Sequence, residues 1–159
     1  MNDLAKGWLL LRDRVNRTYH IETVLQSPAM DWEPLVEAAA AARERAYAPY
    51  SNFPVGAAVL MEDGSIFSGA NVENGIPALS ICAERTALAA AASAGKRHPQ
   101  ALAVITETSP PARPCGVCRQ ALAELAQDLP ILVLNPQGER AETSLAQLLP
   151  HPFRFRTRS

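Results

Sequence analysis

The chain has three cysteines, and they fall in two short stretches, Cys82-Ala83-Glu84 and Pro114-Cys115-Gly116-Val117-Cys118. Each stretch opens a run with helical character. A Cys-x-x-Cys pair puts both sulfurs on one side of a helix's first turn, where they can share a metal ion. For Cys82 to join them, two helices must start at the same edge of a sheet. Three thiolates with one open position is the pattern of a catalytic zinc site, as opposed to a closed structural one. Glu84 would stand beside that open position, where a carboxylate can take up a proton and pass it on. The same cysteines admit another reading, a redox dithiol at Cys115 and Cys118 with Cys82 a small buried residue. That reading gives Glu84 nothing to do.

A divalent ion on three thiolates carries net negative charge, which weakens its hold on developing anions. Two converging helix N-termini offset part of this. Arg85 can offset more by hydrogen bonding to the sulfurs, its alternative role being a surface ion pair.

The rest of the pattern is α/β. Residues 32–47 are rich in alanine, with Leu35, Ala38, Ala39 and Ala42 on one face and Asp31 as N-cap. Residues 55–61 read as a buried strand, Asp63-Gly64 as a tight turn and 65–70 as the return strand. Helices are expected over about 80–94, 115–127 and 144–149, and strands over 102–106 and 131–134. The order helix, hairpin, helix, strand, helix, strand, helix implies one mixed sheet with helices on both faces and parallel pairing in its second half.

Residues 1–29 read as an extension, either disordered or a loosely docked helix over about 4–17. Met30 is a candidate native start. Residues 30–153 would form one catalytic domain and 154–159 a basic tail carrying Arg154, Arg156 and Arg158. Lys+Arg 15 against Asp+Glu 16 leaves a net charge of −1, which disfavours nucleic acid as a partner. An odd number of thiols argues against a disulfide framework and for a reducing, cytoplasmic setting. No apolar run reaches the ~18–20 residues needed to span a membrane.

Five motifs in order carry a resemblance over residues 33–153. They are Tyr50-Ser51-Asn52-Phe53-Pro54-Val55-Gly56-Ala57, Asn71-Val72-Glu73-Asn74, Cys82-Ala83-Glu84-Arg85-Thr86-Ala87, Pro114-Cys115-Gly116-Val117-Cys118-Arg119-Gln120, and Leu148-Leu149-Pro150 with Phe153. The chain resembles the small, homotetrameric, three-cysteine nucleoside cytidine deaminases. The resemblance implies a three-layer α-β-α fold on a single mixed five-stranded sheet, with one zinc ion per chain on Cys82, Cys115 and Cys118. It implies hydrolysis of cytidine and deoxycytidine to uridine and deoxyuridine plus ammonia. Metal-activated water attacks C4 while Glu84 moves a proton to N3 and then to the departing amine.

By the same resemblance Asn71 and Glu73 hold the ribose 3′-hydroxyl, and the Ala83 N–H reads the base O2. The Arg113 carbonyl accepts from the amine, and Phe53 packs on the pyrimidine. Phe153 reaches a neighbouring subunit's site to stack on the base, while Arg85 and Gln120 support the thiolates from behind. For Phe53 and Phe153, core packing is the alternative. Two departures bear on substrate choice. Gly75-Ile76-Pro77 stands where the family has a small pair and then a tyrosine, and Arg113 replaces a small hydroxyl residue. A related deaminase acting on a modified cytidine or a nucleoside antibiotic is the second reading. A silent zinc or nucleoside-binding module is the third, and Glu84 argues against it.

Overall fold

The computed structural model describes residues 30–155, so the helix expected over 4–17 and the arginines at 156 and 158 lie outside the described residues. Helix α1 (Glu33–Arg43) buries Leu35, Ala39 and Ala42 on a single stripe. Its N-cap is Trp32, not Asp31. Asp31 nonetheless satisfies one free helical donor from a residue further out, its Oδ1 accepting from the Glu33 N–H at 3.1 Å. The helix ends four residues before Tyr47, because Tyr47 is taken into an isolated bridge with Val72. There its N–H donates to the Asn71 carbonyl (3.0 Å) and its carbonyl accepts from the Glu73 N–H (2.8 Å).

Strands β1 (Gly56–Met61) and β2 (Ile66–Ala70) form the expected antiparallel hairpin, with Gly64 of the turn at φ 82°. A short 3-10 turn (Pro77–Leu79) leads to helix α2 (Ala83–Ser93), followed by β3 (Pro99–Ile105) and helix α3 (Gly116–Leu125). Strand β4 (Pro130–Leu134), strand β5 (Arg140–Ser144) and the single turn α4 (Leu145–Leu148) complete the chain. Ser144 begins that turn with a capping box, exchanging bonds with Gln147.

The sheet is five-stranded in the order β2-β1-β3-β4-β5. Only β3 and β4 pair in parallel, and β5 returns antiparallel on β4. The apolar pattern did not reveal β5, since Arg140, Glu142 and Thr143 carry no hydrophobic alternation and the strand lies on a sheet edge.

Alternation along the strands separates the two faces. Ala57 and Val59 of β1, Leu102 and Val104 of β3, and Ile131 and Val133 of β4 join one core with α2 and α3. The other face carries α1, and two glycines bring the helices close. A Cβ on Gly56 would lie 2.0 Å from the Ala39 carbonyl oxygen, and one on Gly69 would lie 2.4 Å from the Ala87 nitrogen. Both obstacles are backbone. Gly56→Ala is therefore expected to lift α1 from the sheet and cost at least ~1–3 kcal/mol, read as a lower denaturant midpoint. An unchanged midpoint would mean that the contact is not tight.

Strand direction positions the site. β2 and β3 are both antiparallel to β1, so they run the same way and end at the same sheet edge. The loops that leave those ends start α2 at Cys82 and α3 at Cys115.

Candidate metal centre and active site

Cys82 and Cys115 are the N-cap residues of α2 and α3, each extended in backbone and each without a side-chain cap bond. Their carbonyls accept the first helical bonds, from the Thr86 N–H (3.1 Å) and the Arg119 N–H (3.0 Å). The side chains are thus left free at two positive helix ends. Cys118, one turn into α3, is fully buried. Its Sγ lies 3.6 Å from that of Cys115, and the Sγ atoms of Cys82 and Cys115 are 3.9 Å apart. The edge of a tetrahedron of sulfurs around zinc is about 3.8 Å for Zn–S bonds of ~2.3 Å. The donor set and its spacing therefore fit zinc. A hydrogen bond from Cys118 draws the Cys82 thiol down to about 5 with help from Arg85, and the same contact and burial push Cys118 up.

Glu84 is 5% exposed. Burial raises its carboxyl above the ordinary range, and the neighbouring Cys82 thiolate pushes in the same direction. Arg85 lies beside the thiols. Its Nη2 donates to the Ser80 carbonyl (2.9 Å), and its buried Nε has no acceptor among the described residues.

A cavity of about 430 Å³ opens at this point. Cys82, Ala83, Glu84 and Cys115 line it together with Phe53, Asn71, Glu73 and Arg113. Ala83, the first residue of α2, carries an N–H with no helical partner. The Asn71 amide pins the Phe53 loop, since its Oδ1 accepts from the Val55 N–H and its Nδ2 donates to the Phe53 carbonyl, both at 2.9 Å. One N–H and one lone pair of that amide remain for a ligand. Glu73 Oε2 accepts from the N–H groups of Tyr50 (2.8 Å) and Ser51 (3.2 Å). Bonds from the Ser51 side chain and the Tyr50 backbone hold its carboxyl below the usual range, so it is a carboxylate with a free oxygen.

The model of the family described as "Cytidine and deoxycytidylate deaminase zinc-binding region" matches residues 30–132, which include all three thiols. The "Cytidine deaminase" of Sporosarcina psychrophila is 49% identical over 125 residues, 78% of this chain and 92% of that protein. The chain belongs to this deaminase family. A crystal structure of cytidine deaminase from Burkholderia pseudomallei shares the fold with a TM-score of 0.75 at 51% identity, covering 78% of this chain and 100% of that one. A more distant relative, the "Blasticidin-S deaminase" of Bacillus cereus, is 30% identical over 105 residues, 60% of this chain and 74% of that protein. Zinc is the cofactor of this family member, and Cys82, Cys115 and Cys118 are the group suited to hold it.

Four residues named from the sequence do not line the cavity: Cys118, which is buried, Arg85 beside the thiols, and Phe153 and Gln120 further off. Phe153 is 69% exposed and does not line it. Gln120 has a different partner from the one expected, because both of its side-chain polar atoms bond the backbone of Phe153, not the thiols. Conversely, motif reading passed over Thr106. It is 2% exposed at the end of β3, lines the cavity, and its Oγ1 accepts from the Ala112 N–H at 3.0 Å. The Pro110–Pro114 loop beginning just after that strand was its one sequence signal. Asn135 steadies the same loop by donating to the Thr108 carbonyl at 3.1 Å.

Proposed function

We propose that the chain catalyses hydrolytic deamination of cytidine and deoxycytidine to uridine and deoxyuridine with release of ammonia, a step of pyrimidine salvage. One observation carries the reading. A buried carboxyl, Glu84, shares a cavity with Cys82 and Cys115, two of the three clustered thiols, and with Asn71 and Glu73. The names of the relatives point the same way. Zinc on the three thiolates supplies the activation of the water nucleophile. Glu84, its proton affinity raised by burial, moves a proton to N3 of the base and then to the leaving amine. The Ala83 N–H binds the base O2, the Arg113 carbonyl accepts from the amine, and Phe53 packs on the ring. Arg85 draws charge off the thiolates. Residues 30–153 form the catalytic domain.

In this reading the working form is a homotetramer in the cytoplasm, and Phe153 enters a neighbouring subunit's site to stack on the base. Tyr47, Val72 and Ile81 are linked by backbone bridges, and with Ile76 and Leu79 they expose apolar surface of the kind that subunit contacts cover. No helix among the described residues is long and apolar enough to cross a membrane.

A second reading, a deaminase of a modified cytidine or nucleoside antibiotic, has its own support. Gly75 leaves room for the Tyr50 hydroxyl, from which a Cβ there would lie 3.1 Å. Both residues line a further cavity of about 230 Å³ that shares Glu73 with the first. A panel of cytidine, deoxycytidine, adenosine and N4- or C5-modified cytidines, followed by loss of ultraviolet absorbance, separates the two. Activity on adenosine alone would refute both. Glu73→Gln is expected to reduce the preference for cytidine over 3′-deoxycytidine by roughly 10- to 100-fold in kcat/KM, as for loss of a charge-assisted hydrogen bond. An unchanged ratio would remove Glu73 from sugar recognition.

A further inference from the structure

Helix α3 carries two of the thiols on its first turn, yet Gln120, on its next residues, is spent on the far end of the chain. Its Nε2 donates to the Phe153 carbonyl at 2.8 Å and its Oε1 accepts from the Phe153 N–H at 3.0 Å. One side-chain amide thus closes on both polar groups of one residue, fixing that residue's position and its direction. The chain around it is irregular and anchored in two further places. Arg119 Nη1 donates to the Leu148 carbonyl at 2.9 Å, and Arg154 Nη2 to the Ala126 carbonyl at 3.3 Å. The residue held this firmly keeps its own side chain out of its own core. The Phe153 ring is exposed, and the Phe155 ring meets it edge-on at 6.5 Å between centroids. The backbone of Phe153 is thus held by two bonds while its ring faces solvent.

We propose that Gln120 is a positioning residue that sets the Phe153 ring for a neighbouring copy's cavity, and so serves a catalytic centre other than the one its own helix carries. The inference rests on the reading that Phe153 completes a neighbouring subunit's site. The residue's place on the thiol-bearing helix suggests the opposite assignment, service to its own metal centre. Mixed oligomers separate the two.

The test uses Gln120→Leu, which removes both bonds at similar volume, with Gln120→Glu in parallel as the variant that keeps the acceptor. Each is purified as a homo-oligomer and, through two different tags, as an oligomer mixed with Glu84→Gln. Alone, Gln120→Leu is expected to keep one zinc per chain and raise KM for cytidine by about 10-fold, the order of a weakened base stack, with kcat less affected. Gln120→Glu is expected to fall between it and the parent. In the mixed oligomer the Glu84→Gln copies cannot move the proton but bring an intact Gln120 and Phe153. A population of centres with the parent KM is therefore expected to return. If KM stays raised in the mixture, or zinc is lost from the homo-oligomer, Gln120 serves its own centre and the proposal is overturned. Phe153→Ala mixed with Glu84→Gln tests the underlying reading separately. Recovery there without recovery for Gln120→Leu sinks the proposal alone, and no recovery in either sinks both.

Discussion

Glu84→Gln is expected to retain one zinc per chain while turnover of cytidine falls by about 10²- to 10⁴-fold or more. Loss of a positioned proton carrier accounts for this range by itself, and loss of its charge in a water-poor site adds to it. The substitution is nearly isosteric, and the side chain is buried on the first turn of α2, so cavity shape and thiol spacing are left as they are. Only the ability to take and give a proton is removed. Burial is what tunes the native group, since it lifts the carboxyl above the ordinary range and so raises its affinity for the proton it carries. Metal content by elemental analysis and rate by loss of ultraviolet absorbance check the two halves of the prediction independently. A variant with zinc and near-native turnover would remove Glu84 from the chemistry.

The second large effect is expected from Cys118→Ala. The deleted sulfur is small and the residue fully buried, so the cavity created is minor. Loss of a zinc ligand is not minor, because metal binding contributes directly to folding free energy, by about 10–16 kcal/mol in isolated zinc-finger peptides as an upper guide. The variant should be isolated with little zinc and should melt well below the parent. Its melting temperature should no longer respond to a chelator that lowers the parent's. A redox dithiol at Cys115 and Cys118 would behave differently, with no zinc in the parent and a melting temperature that follows the oxidation state. One zinc per chain in Cys118→Ala would refute the ligand set.

Much of this architecture can be read from the residues, and the limits of that reading have physical causes. Strands β1, β3 and β4 announce themselves because their burial makes them apolar runs, as in Ala57–Leu60 and Ile131–Leu134, while the half-buried β2 is announced by the Asp63-Gly64 turn before it. The meeting of the three thiols follows from spacing, since a ligand pair on one helical turn and a third on another helix start admit few arrangements. β5 escapes because an edge strand needs only backbone partners, and Arg140 and Glu142 carry charge where alternation would otherwise show. The end of α1 escapes because helix propensity continues through Ala46, while a non-local bridge between Tyr47 and Val72 decides the outcome. Gln120 is the clearest case. Its neighbours in sequence are the thiols, but its hydrogen bonds go to Phe153, and no local pattern records a partner so far along the chain.

The close seating of the helices has a consequence for the metal centre under thermal load. Alanines and glycines fill the contacts under α1 and α2, among them Ala39, Ala42 and Gly56 on one face and Ala83, Ala87 and Gly69 on the other. An alanine side chain has no rotamers to lose when it is buried and none to explore afterwards. With Cys82 and Cys115 as the residues that begin their helices, the distance between their sulfurs is governed by main-chain placement and hardly at all by the repacking of flexible side chains. Warming such a scaffold gives it few soft degrees of freedom to spend before it unfolds, so the chelating geometry is expected to stay constant up to the melting transition and then fail with it.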